Sequence, residues 1–335
     1  MIQKEYIFLV LAVVFAYYWK NYIITGPIYK TNKRLDGKTV LITGGNVGIG
    51  KATAIEFAKL GAKVVIASRN VEKSRKAKDE IIKESGNKNI HVMKLDLGDF
   101  SSIKSFAEKI HKEEENLHYL INNAGVFAIR GMTDYGYNRI MAINHFGPFL
   151  LTHLLMDKIK QQSKSSPVRI INLSSVAYQF GAFDFEMWHH DSSSVYQDFL
   201  IYGQSKLANI YFTSELNKRL KGFDITTYAV HPGGIRSELG MNDQLSWPLY
   251  IYKQFITLLL REPIYGAQTT LYCALDDNVT QLSGNYFGET TMQDLKDFAK
   301  DDVVGQKNLA GNCESYKRLS PKRCVTVHIL NFAVC

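Results

Sequence analysis

The sequence predicts an α/β protein with a doubly wound, seven-stranded parallel sheet and helices on both faces. Two observations carry this prediction. From Lys38 onward, short runs rich in β-branched residues alternate with stretches of helical periodicity. The short runs are continuously apolar, which is typical of strands that are covered on both faces. Right-handed crossovers between such strands make a doubly wound sheet the natural architecture.

The predicted strands and helices follow one another regularly along the chain. The seven strands are KTVLITG (38–44), KVVIAS (63–68), IHVMKLD (90–96), LHYLINNAG (117–125), VRIINLSS (168–175), DITTYAVHPGG (224–234) and GNYFG (284–288). Helices are expected over KATAIEFAKLG, over residues 71–85, after the third strand, over residues 135–162 and over the segment that contains YGQSK. Two insertions, residues 178–201 and 238–263, are expected at the carboxyl edge of the sheet, where folds of this kind bind ligands.

Length and composition indicate one large domain with appendages. The 335 residues are 46% hydrophobic and 21% charged, which suits a globular protein with a sizeable core. The predicted organisation is an N-terminal membrane anchor over residues 1–25, a basic linker over 26–37, a single domain over 38–320 and a C-terminal tail over 321–335. The apolar run in the tail is compatible with a strand, a second membrane contact or a disordered end.

Charge and cysteine content argue against two classes of function. The formal net charge is +8, but half of this excess lies at or before Lys38, and no basic stripe for nucleic acid remains in the rest of the chain. The four cysteines, Cys273, Cys313, Cys324 and Cys335, show no CxxC spacing. This argues against a zinc site or another metal centre and favours reduced thiols in a cytosol-facing domain.

The N-terminal run YIFLVLAVVFAYYW, residues 6–19, contains no charged residue. A bilayer span needs about 20 apolar residues, so the run is marginal, but lysine stems can snorkel and no small-residue cleavage site follows. We therefore expect an uncleaved anchor, and the positive charge from Lys20 to Lys38 places that flank in the cytosol. A core helix of a soluble protein is the alternative.

A glycine-rich turn, TGGNVGIG at residues 43–50, joins the first predicted strand to the first helix. Gly44 permits the tight turn, Gly48 lets the backbone approach a phosphate, and Gly50 allows close packing of the helix, whose N-terminus attracts an anion. This context predicts a dinucleotide site, to which Asn46 and Ile49 of the same turn contribute.

Further cofactor contacts are expected where the next strands end. Ser68 and Arg69 follow the second strand, and an arginine there favours the 2′-phosphate of NADP(H) over the free 2′-hydroxyl of NAD(H). A solvated surface charge is the alternative for Arg69. The third and fourth strands end in two segments expected to lie against the cofactor, LDLGD with Asp96 and Leu97, and NNAG with Asn123, Ala124 and Gly125.

Tyr202 and Lys206, in YGQSK, lie one helical turn apart. Tyrosine ionises near pH ~10, too high for a base at neutral pH, but a neighbouring ammonium and an oxidised nicotinamide favour the phenolate. Tyr202 is then predicted to exchange a proton with an alcohol or carbonyl while hydride moves to or from the nicotinamide. Ser175, at the end of NLSS, would hold the substrate oxygen, and Asn144 would order a water that links Lys206 to solvent.

The segments TGGNVGIG, NNAG and YGQSK, with Asn144 and Ser175 in this order, resemble the short-chain dehydrogenase/reductase family over about residues 38–290. The resemblance implies a Rossmann-type fold, with Tyr202 as acid/base, Ser175 as oxyanion stabiliser and Asn144 as relay. Lys206 would both modulate the pKa of Tyr202 and bind the nicotinamide ribose. The resemblance also implies that HPGG, through Pro232 and Gly233, contacts the nicotinamide carboxamide together with Ile235.

Within this family, YGQSKLANIYFTSEL, HPGGIRSEL, GAQTTLYCAL and LSGNYF are similar to microsomal retinol dehydrogenases that use NADP(H). This likeness implies an enzyme of the endoplasmic reticulum membrane, with its catalytic domain facing the cytosol, that acts on a lipophilic alcohol or aldehyde such as retinol or retinal. Because the cytosolic NADPH pool is kept reduced, Arg69 and this orientation together predict that reduction is the main direction. The apolar segment SWPLYIYKQFITLLL, residues 246–260, is expected to form a lid, with a buried helix as the alternative. A steroid or fatty-aldehyde reductase and, in another class, a non-catalytic nucleotide-binding scaffold stay open, and the oligomeric state is not predicted.

Overall fold

The computed structural model describes residues 25–181, 184, 186–236 and 260–300, together with scattered positions between 6 and 19. The predicted C-terminal tail, the lid up to residue 259, and Cys313, Cys324 and Cys335 therefore lie outside the described residues. Among the positions that are described, no helix combines the length and the apolar character needed to cross a bilayer.

Eight strands in the described ranges form one sheet. They are β1 (Thr39–Thr43), β2 (Lys63–Ser68), β3 (Ile90–Lys94), β4 (Tyr119–Asn122), β5 (Val168–Leu173), β6 (Ile225–His231), β7 (Tyr286–Gly288) and β8 (Thr291–Met292). Their spatial order is β3-β2-β1-β4-β5-β6-β7-β8. The first seven pair in parallel, and β8 pairs antiparallel with β7. The prediction of seven parallel strands omitted β8, because two residues are too few to show a periodicity.

The helices that cover the sheet are α1 (Gly48–Lys59), α2 (Val71–Ser85), α3 (Phe100–Glu113), α4 (Arg139–Met141), α5 (Gly147–Leu154), α6 (Met156–Gln162), α7 (Val195–Arg219) and α8 (Pro263–Leu275). Short 3₁₀ helices span Val176–Phe180, Glu186–His189, Thr280–Leu282 and Asp297–Lys300. Helix α7 begins at Val195 because Ser194 caps it, accepting a hydrogen bond from the Gln197 amide. The predicted insertion 178–201 is shortened accordingly.

The helix predicted over residues 135–162 is interrupted. It begins at Arg139, where Asn138 accepts a hydrogen bond from the Ile140 amide, and it widens to a π-helical turn over Ala142–Phe146. Pro148 follows this turn, and its nitrogen carries no hydrogen to donate to the carbonyl of Asn144 four residues earlier. The carbonyl oxygen of Asn144 is consequently available for another donor.

Apolar residues fill both faces of the sheet, as the continuous apolar runs predict. Leu41 and Val65 belong to a buried cluster with the side chains of α3, α5, α6 and α7, whereas Val40 and Ile42 belong to a second cluster with α1, α2 and α8. Successive residues of one strand thus point into different cores, which favours apolar residues at consecutive positions.

Strands β1 and β4 are neighbours, so the chain leaves them toward opposite sides of the sheet and opens a crevice at their carboxyl ends. The crevice is held narrow by side-chain hydrogen bonds. The amides of Asn123 and Ala124 both donate to Thr43 Oγ1 at 3.0 Å. Asn123 Nδ2 also donates to the carbonyl of Thr43 at 2.9 Å. These bonds fix the NNAG segment against the glycine-rich turn.

Residues 26–37, which precede β1, lie along α8 and form a strap. The Tyr29 amide donates to Gln268 Oε1 at 2.8 Å, and the Tyr29 ring packs edge-on against Tyr272. Lys33 Nζ donates to the carbonyl of Leu275 at 2.6 Å, and Leu35 is 3% exposed. Much of the predicted basic linker is therefore in contact with the body of the protein.

His118 predicts a loss of stability in mild acid. Its Nδ1 accepts a hydrogen bond from the Thr39 amide, and burial lowers its pKa from 6.5 to about 4. Between these two pH values the unfolded chain binds a proton that the folded chain does not, so stability is fully present above pH ~6.5 and is lost as pH falls toward ~4. Urea unfolding of His118→Gln should show a pH dependence smaller by about 1–2 kcal/mol between pH ~7.5 and ~5. An unchanged pH dependence would contradict the assignment.

Candidate active site

Helix α7 carries Tyr202 and Lys206 toward the carboxyl end of β5. Lys206 is 4% exposed, and its Nζ lies 5.4 Å from the centroid of the Tyr202 ring. Ser175, two residues beyond β5, caps a 3₁₀ turn and forms a side-chain hydrogen bond with Tyr202. The structure thus brings together the three side chains in which the sequence predicts acid/base chemistry.

Burial shifts the pKa values of the tyrosine and the lysine in opposite directions. The loss of hydration raises the pKa of Tyr202 to about 12, and the hydrogen bond from Ser175 only partly opposes it. The same loss of hydration lowers the pKa of Lys206 to about 8. Without a bound nicotinamide, burial therefore favours the neutral phenol, and the predicted phenolate depends on the oxidised nicotinamide that the prediction included.

Lys206 is held by a main-chain acceptor. Its Nζ donates to the carbonyl of Leu173, the last residue of β5, at 3.1 Å. A Cβ added to Gly125 would lie 3.4 Å from this Nζ and 3.6 Å from Asn144 Oδ1. Gly125, Lys206 and Asn144 therefore border one space at the end of β4.

Asn144 uses its side chain to clamp the segment after β4. Its Oδ1 accepts from the Val126 amide at 2.7 Å, and its Nδ2 donates to the Val126 carbonyl at 2.9 Å and to Ser205 Oγ at 3.1 Å. The side chain is thus occupied by structural hydrogen bonds. A relay through Asn144 would have to use its main-chain carbonyl.

Asn209 and His145 are site residues that the sequence analysis missed. Asn209 Nδ2 donates at 3.0 Å both to the Asn144 carbonyl and to the Leu173 carbonyl that Lys206 also uses. Its Oδ1 lies 3.0 Å from His145 Nδ1. Burial lowers the pKa of His145 to about 4, so the ring is neutral at pH ~7. The available signal was a polar residue on the apolar face of α7, one turn after Lys206.

The glycine-rich turn forms a concave cradle for a ligand, and its backbone conformation and close contacts require glycines. Gly44 and Gly48 have φ values of 65° and 51°, which disfavour other residues. A Cβ on Gly50 would lie 2.3 Å from the carbonyl oxygen of Gly44. Val47 caps α1 without a side-chain acceptor, so its first amides are not covered by a capping side chain. This geometry fits a bound pyrophosphate, with Asn46 and Ile49 in the same turn.

The remaining predicted cofactor residues are spread along the same edge. Arg69 is exposed directly after β2. Asp96 follows β3 and uses Oδ1 to accept from the Gly98 amide at 2.9 Å, while Leu97 is 5% exposed. A line of positions at the ends of β3, β2, β1 and β4 suits an elongated dinucleotide better than a compact ligand.

The segment after β6 closes the other end of the crevice. Gly233 has a φ of 82°, and its amide donates to His231 Nδ1 at 3.2 Å across Pro232. Ile235 is 8% exposed. A Cβ on Gly266 of α8 would lie 2.8 Å from Ile235 Cγ1 and 2.9 Å from Ile49 Cγ1. Ile49 of the predicted pyrophosphate turn and Ile235 of the predicted nicotinamide segment therefore both pack against Gly266 of α8.

A family model described as short chain dehydrogenase matches residues 38–246. The chain belongs to the short-chain dehydrogenase family. It is 40% identical to retinol dehydrogenase 11 of Homo sapiens over 87% of this chain and 90% of the relative. It is 43% identical to retinol dehydrogenase 12 of Bos taurus over 86% and 89% of the two chains. Dehydrogenase/reductase SDR family member 13 of Bos taurus is 39% identical over 88% and 77%.

Solved structures share the fold. An uncharacterised protein from Mycobacterium paratuberculosis is 29% identical, with a TM-score of 0.66 and coverage of 88% of this chain and 98% of its own. A short-chain dehydrogenase from Shigella flexneri, solved with NADP, is 21% identical, with a TM-score of 0.59 and coverage of 78% and 100%. The family consists of nicotinamide-dependent oxidoreductases, and the glycine cradle of this chain fits that class of cofactor.

Gly50→Ala tests the cradle directly. The added methyl group would meet the Gly44 carbonyl at 2.3 Å, so the turn must open and its amides move away from the phosphate position. We expect at least a ~10-fold weaker affinity for the nicotinamide dinucleotide, measured by fluorescence titration. Thermal unfolding of the free protein serves as the control for the fold. Wild-type affinity in the variant would show that the turn does not hold the phosphates.

Proposed function

We propose that the protein is an NADP(H)-dependent oxidoreductase that transfers a hydride between the nicotinamide and a lipophilic alcohol or aldehyde. Retinal and retinol are the proposed substrate pair, and reduction of the aldehyde is the main direction. The observation that carries this proposal is the meeting of Ser175, Tyr202 and Lys206 beside Gly125 at the carboxyl edge of the sheet. The retinol dehydrogenases among its relatives support the substrate class.

The pKa values suit the reductive direction. A reduced nicotinamide, when bound, would supply the hydride. Tyr202, whose pKa burial raises to about 12, stays protonated near pH ~7 and is ready to donate its proton to a carbonyl oxygen. Ser175 hydrogen-bonds the same oxygen. Lys206, with its pKa lowered to about 8, is held beneath Tyr202 by the Leu173 carbonyl and orients the nicotinamide ribose.

NADP(H) is the proposed cofactor because of the charge at the end of β2. Arg69 is exposed there, so its guanidinium is accessible to a 2′-phosphate, and no acidic residue stands at this position to repel one. Asp96 uses one carboxylate oxygen to accept a hydrogen bond from the Gly98 amide within its own turn. Because the cytosolic NADPH pool is kept reduced, this choice of cofactor also favours reduction of the aldehyde.

The proposed substrate is lipophilic because the surroundings of Tyr202 are apolar. The Phe127 ring stands edge-on to the Tyr202 ring at 5.4 Å. Val176 and Phe180, in the 3₁₀ turn that follows Ser175, are 51% and 58% exposed, so this turn offers apolar side chains to a ligand. A steroid or fatty-aldehyde reductase is the second candidate, since the same surface suits those substrates. A non-catalytic nucleotide-binding scaffold is disfavoured by the intact acid/base residues.

We further propose attachment to the endoplasmic reticulum membrane through residues 1–25, with the catalytic domain facing the cytosol. Apolar side chains at described positions of this segment, such as Val13 and Phe15, are 61% and 66% exposed. The charge balance of the following residues supports the orientation.

Turnover of all-trans-retinal, a 17-ketosteroid and a long-chain aldehyde by membranes that contain the protein, with NADPH and with NADH, tests the proposed substrate and the proposed cofactor together.

Tyr202→Phe should abolish carbonyl reduction while leaving the fold intact. Loss of the proton donor is expected to lower kcat by about 10²–10⁴-fold, measured as NADPH oxidation with all-trans-retinal. Tyr196→Phe is the matched control, because Tyr196 lies on the same helix and is 70% exposed. Equal rates for the Tyr202 variant and wild type would remove Tyr202 from the chemistry.

Arg69→Asp should reverse the preference between the two cofactors. The new carboxylate repels the 2′-phosphate and accepts from a free ribose hydroxyl, so the KM for NADPH rises about 10- to 100-fold while that for NADH falls. Arg75→Asp, on the exposed part of α2, controls for a general change of charge. A wild-type enzyme that already prefers NADH would contradict the assignment of NADP(H) as the cofactor.

A further inference from the structure

The ion pair between Arg261 and Glu289 lies where several segments meet beside the end of β6. Arg261 Nη1 donates to both carboxylate oxygens of Glu289, at 2.6 and 2.7 Å. The two side chains are 23% and 41% exposed, so the pair is partly shielded from solvent. Neither residue belongs to a motif that the sequence alone makes recognisable.

Arg261 ties together the two ends of the second insertion. Its amide donates to the Gly234 carbonyl at 3.1 Å, and its carbonyl accepts from the Arg236 amide at 2.8 Å. Ile235 and Arg261 consequently form a parallel β-bridge. The main chain of Arg261 is thus bonded to the segment predicted to contact the nicotinamide, while its side chain extends to Glu289.

Glu289 belongs to a turn that its sequence does not favour. Glu289 and Thr290 link β7 to β8 with φ values of 51° and 59°, although neither residue is a glycine. A β-branched residue in this conformation is unusual and strained, so surrounding contacts must hold the turn. The Thr290 amide donates to Thr269 Oγ1 of α8 at 3.2 Å, and Arg261 holds the Glu289 carboxylate.

The ion pair reaches both the cofactor segment and the strap before β1. A Cβ on Gly233 would lie 3.1 Å from Glu289 Oε1, so the carboxylate packs directly against the backbone of HPGG. A Cβ on Gly26 would lie 3.0 Å from Arg261 Nη1. Both glycines are packed so closely that a displaced ion pair would leave their backbone unsupported.

We propose that Arg261 and Glu289 are a positioning pair that fixes residues 232–235 against the nicotinamide end of the cofactor. This inference rests on the proposed function. An ordinary surface ion pair contributes little and perturbs nothing around it. This pair instead closes the base of an insertion, maintains an unfavourable turn and supports the main chain of Gly233. Neither side chain takes part in the chemistry itself.

Loss of the ion pair should weaken binding of the nicotinamide half of the cofactor and leave binding of the adenosine half unchanged. In Glu289→Gln and in Arg261→Met we expect kcat with NADPH to fall about tenfold and the Kd for NADPH to rise about tenfold, because a misplaced loop no longer orients the nicotinamide. The affinity for adenosine 2′,5′-bisphosphate, which lacks the nicotinamide, should stay at the wild-type value. Arg261→Lys keeps a cation that reaches both oxygens and should recover most of the loss.

Asp277→Asn is the matched control. Asp277 pairs with Lys33 of the strap at 2.6 Å, at the opposite end of α8, and its loss should leave both ligands' affinities unchanged. Wild-type kcat and NADPH affinity in Glu289→Gln and Arg261→Met would overturn the positioning role, as would an equal loss of adenosine 2′,5′-bisphosphate binding. If wild-type protein bound neither ligand, the proposed function itself would fail, which separates the two claims.

Discussion

The arrangement of the site depends on one main-chain acceptor, the carbonyl of Leu173 at the end of β5. Lys206 Nζ and Asn209 Nδ2 both donate to it, so one oxygen fixes two successive turns of α7 against the sheet. Asn209 also binds the carbonyl of Asn144, which is available because Pro148 has no N–H to give. A proline on one helix and an asparagine on another thereby determine where the lysine stands.

Burial then determines which protonation states the free enzyme favours. A phenol and an amine that both lose hydration are driven toward their neutral forms, and the structure shows this in the raised pKa of Tyr202 and the lowered pKa of Lys206. The hydrogen bond from Ser175 to Tyr202 opposes the first shift only in part. Any stronger stabilisation of a phenolate therefore has to come from a bound, positively charged nicotinamide and not from the side chains alone.

Much of the architecture could be predicted from sequence, because its signals are local. The runs that became β1, β2 and β4 to β7 are buried along most of their length, which is typical of strands covered on both faces, whereas β3 at the edge of the sheet leaves His91 and Lys94 exposed. The glycines of the first turn can likewise be recognised from the sequence, because Gly44 and Gly48 adopt positive φ values that favour glycine. The lysine and the tyrosine of YGQSK were found from their spacing on a helix, and the structure places both at the carboxyl edge.

What could not be predicted depends on contacts between distant parts of the chain. The π-helical turn at 142–146 replaces part of a continuous predicted helix, and the partner of its carbonyl, Asn209, lies 65 residues away. The direction of the pKa shift at Tyr202 depends on burial by several elements, which spacing on one helix does not report. The turn at Glu289 and Thr290 gave no signal, because its sequence is not one that normally favours positive φ.

The strap along α8 also changes where the folded unit begins. Tyr29 donates an amide hydrogen bond to Gln268, Lys33 forms an ion pair with Asp277, and Leu35 is buried, while Gly26 packs against Arg261 beside the cofactor segment. A soluble fragment that started at Lys38 would expose Tyr272 and the polar atoms of Gln268 to water. A cut that frees the chain of its apolar N-terminus should therefore lie before Gly26, about twelve residues before Lys38, where the first predicted strand begins.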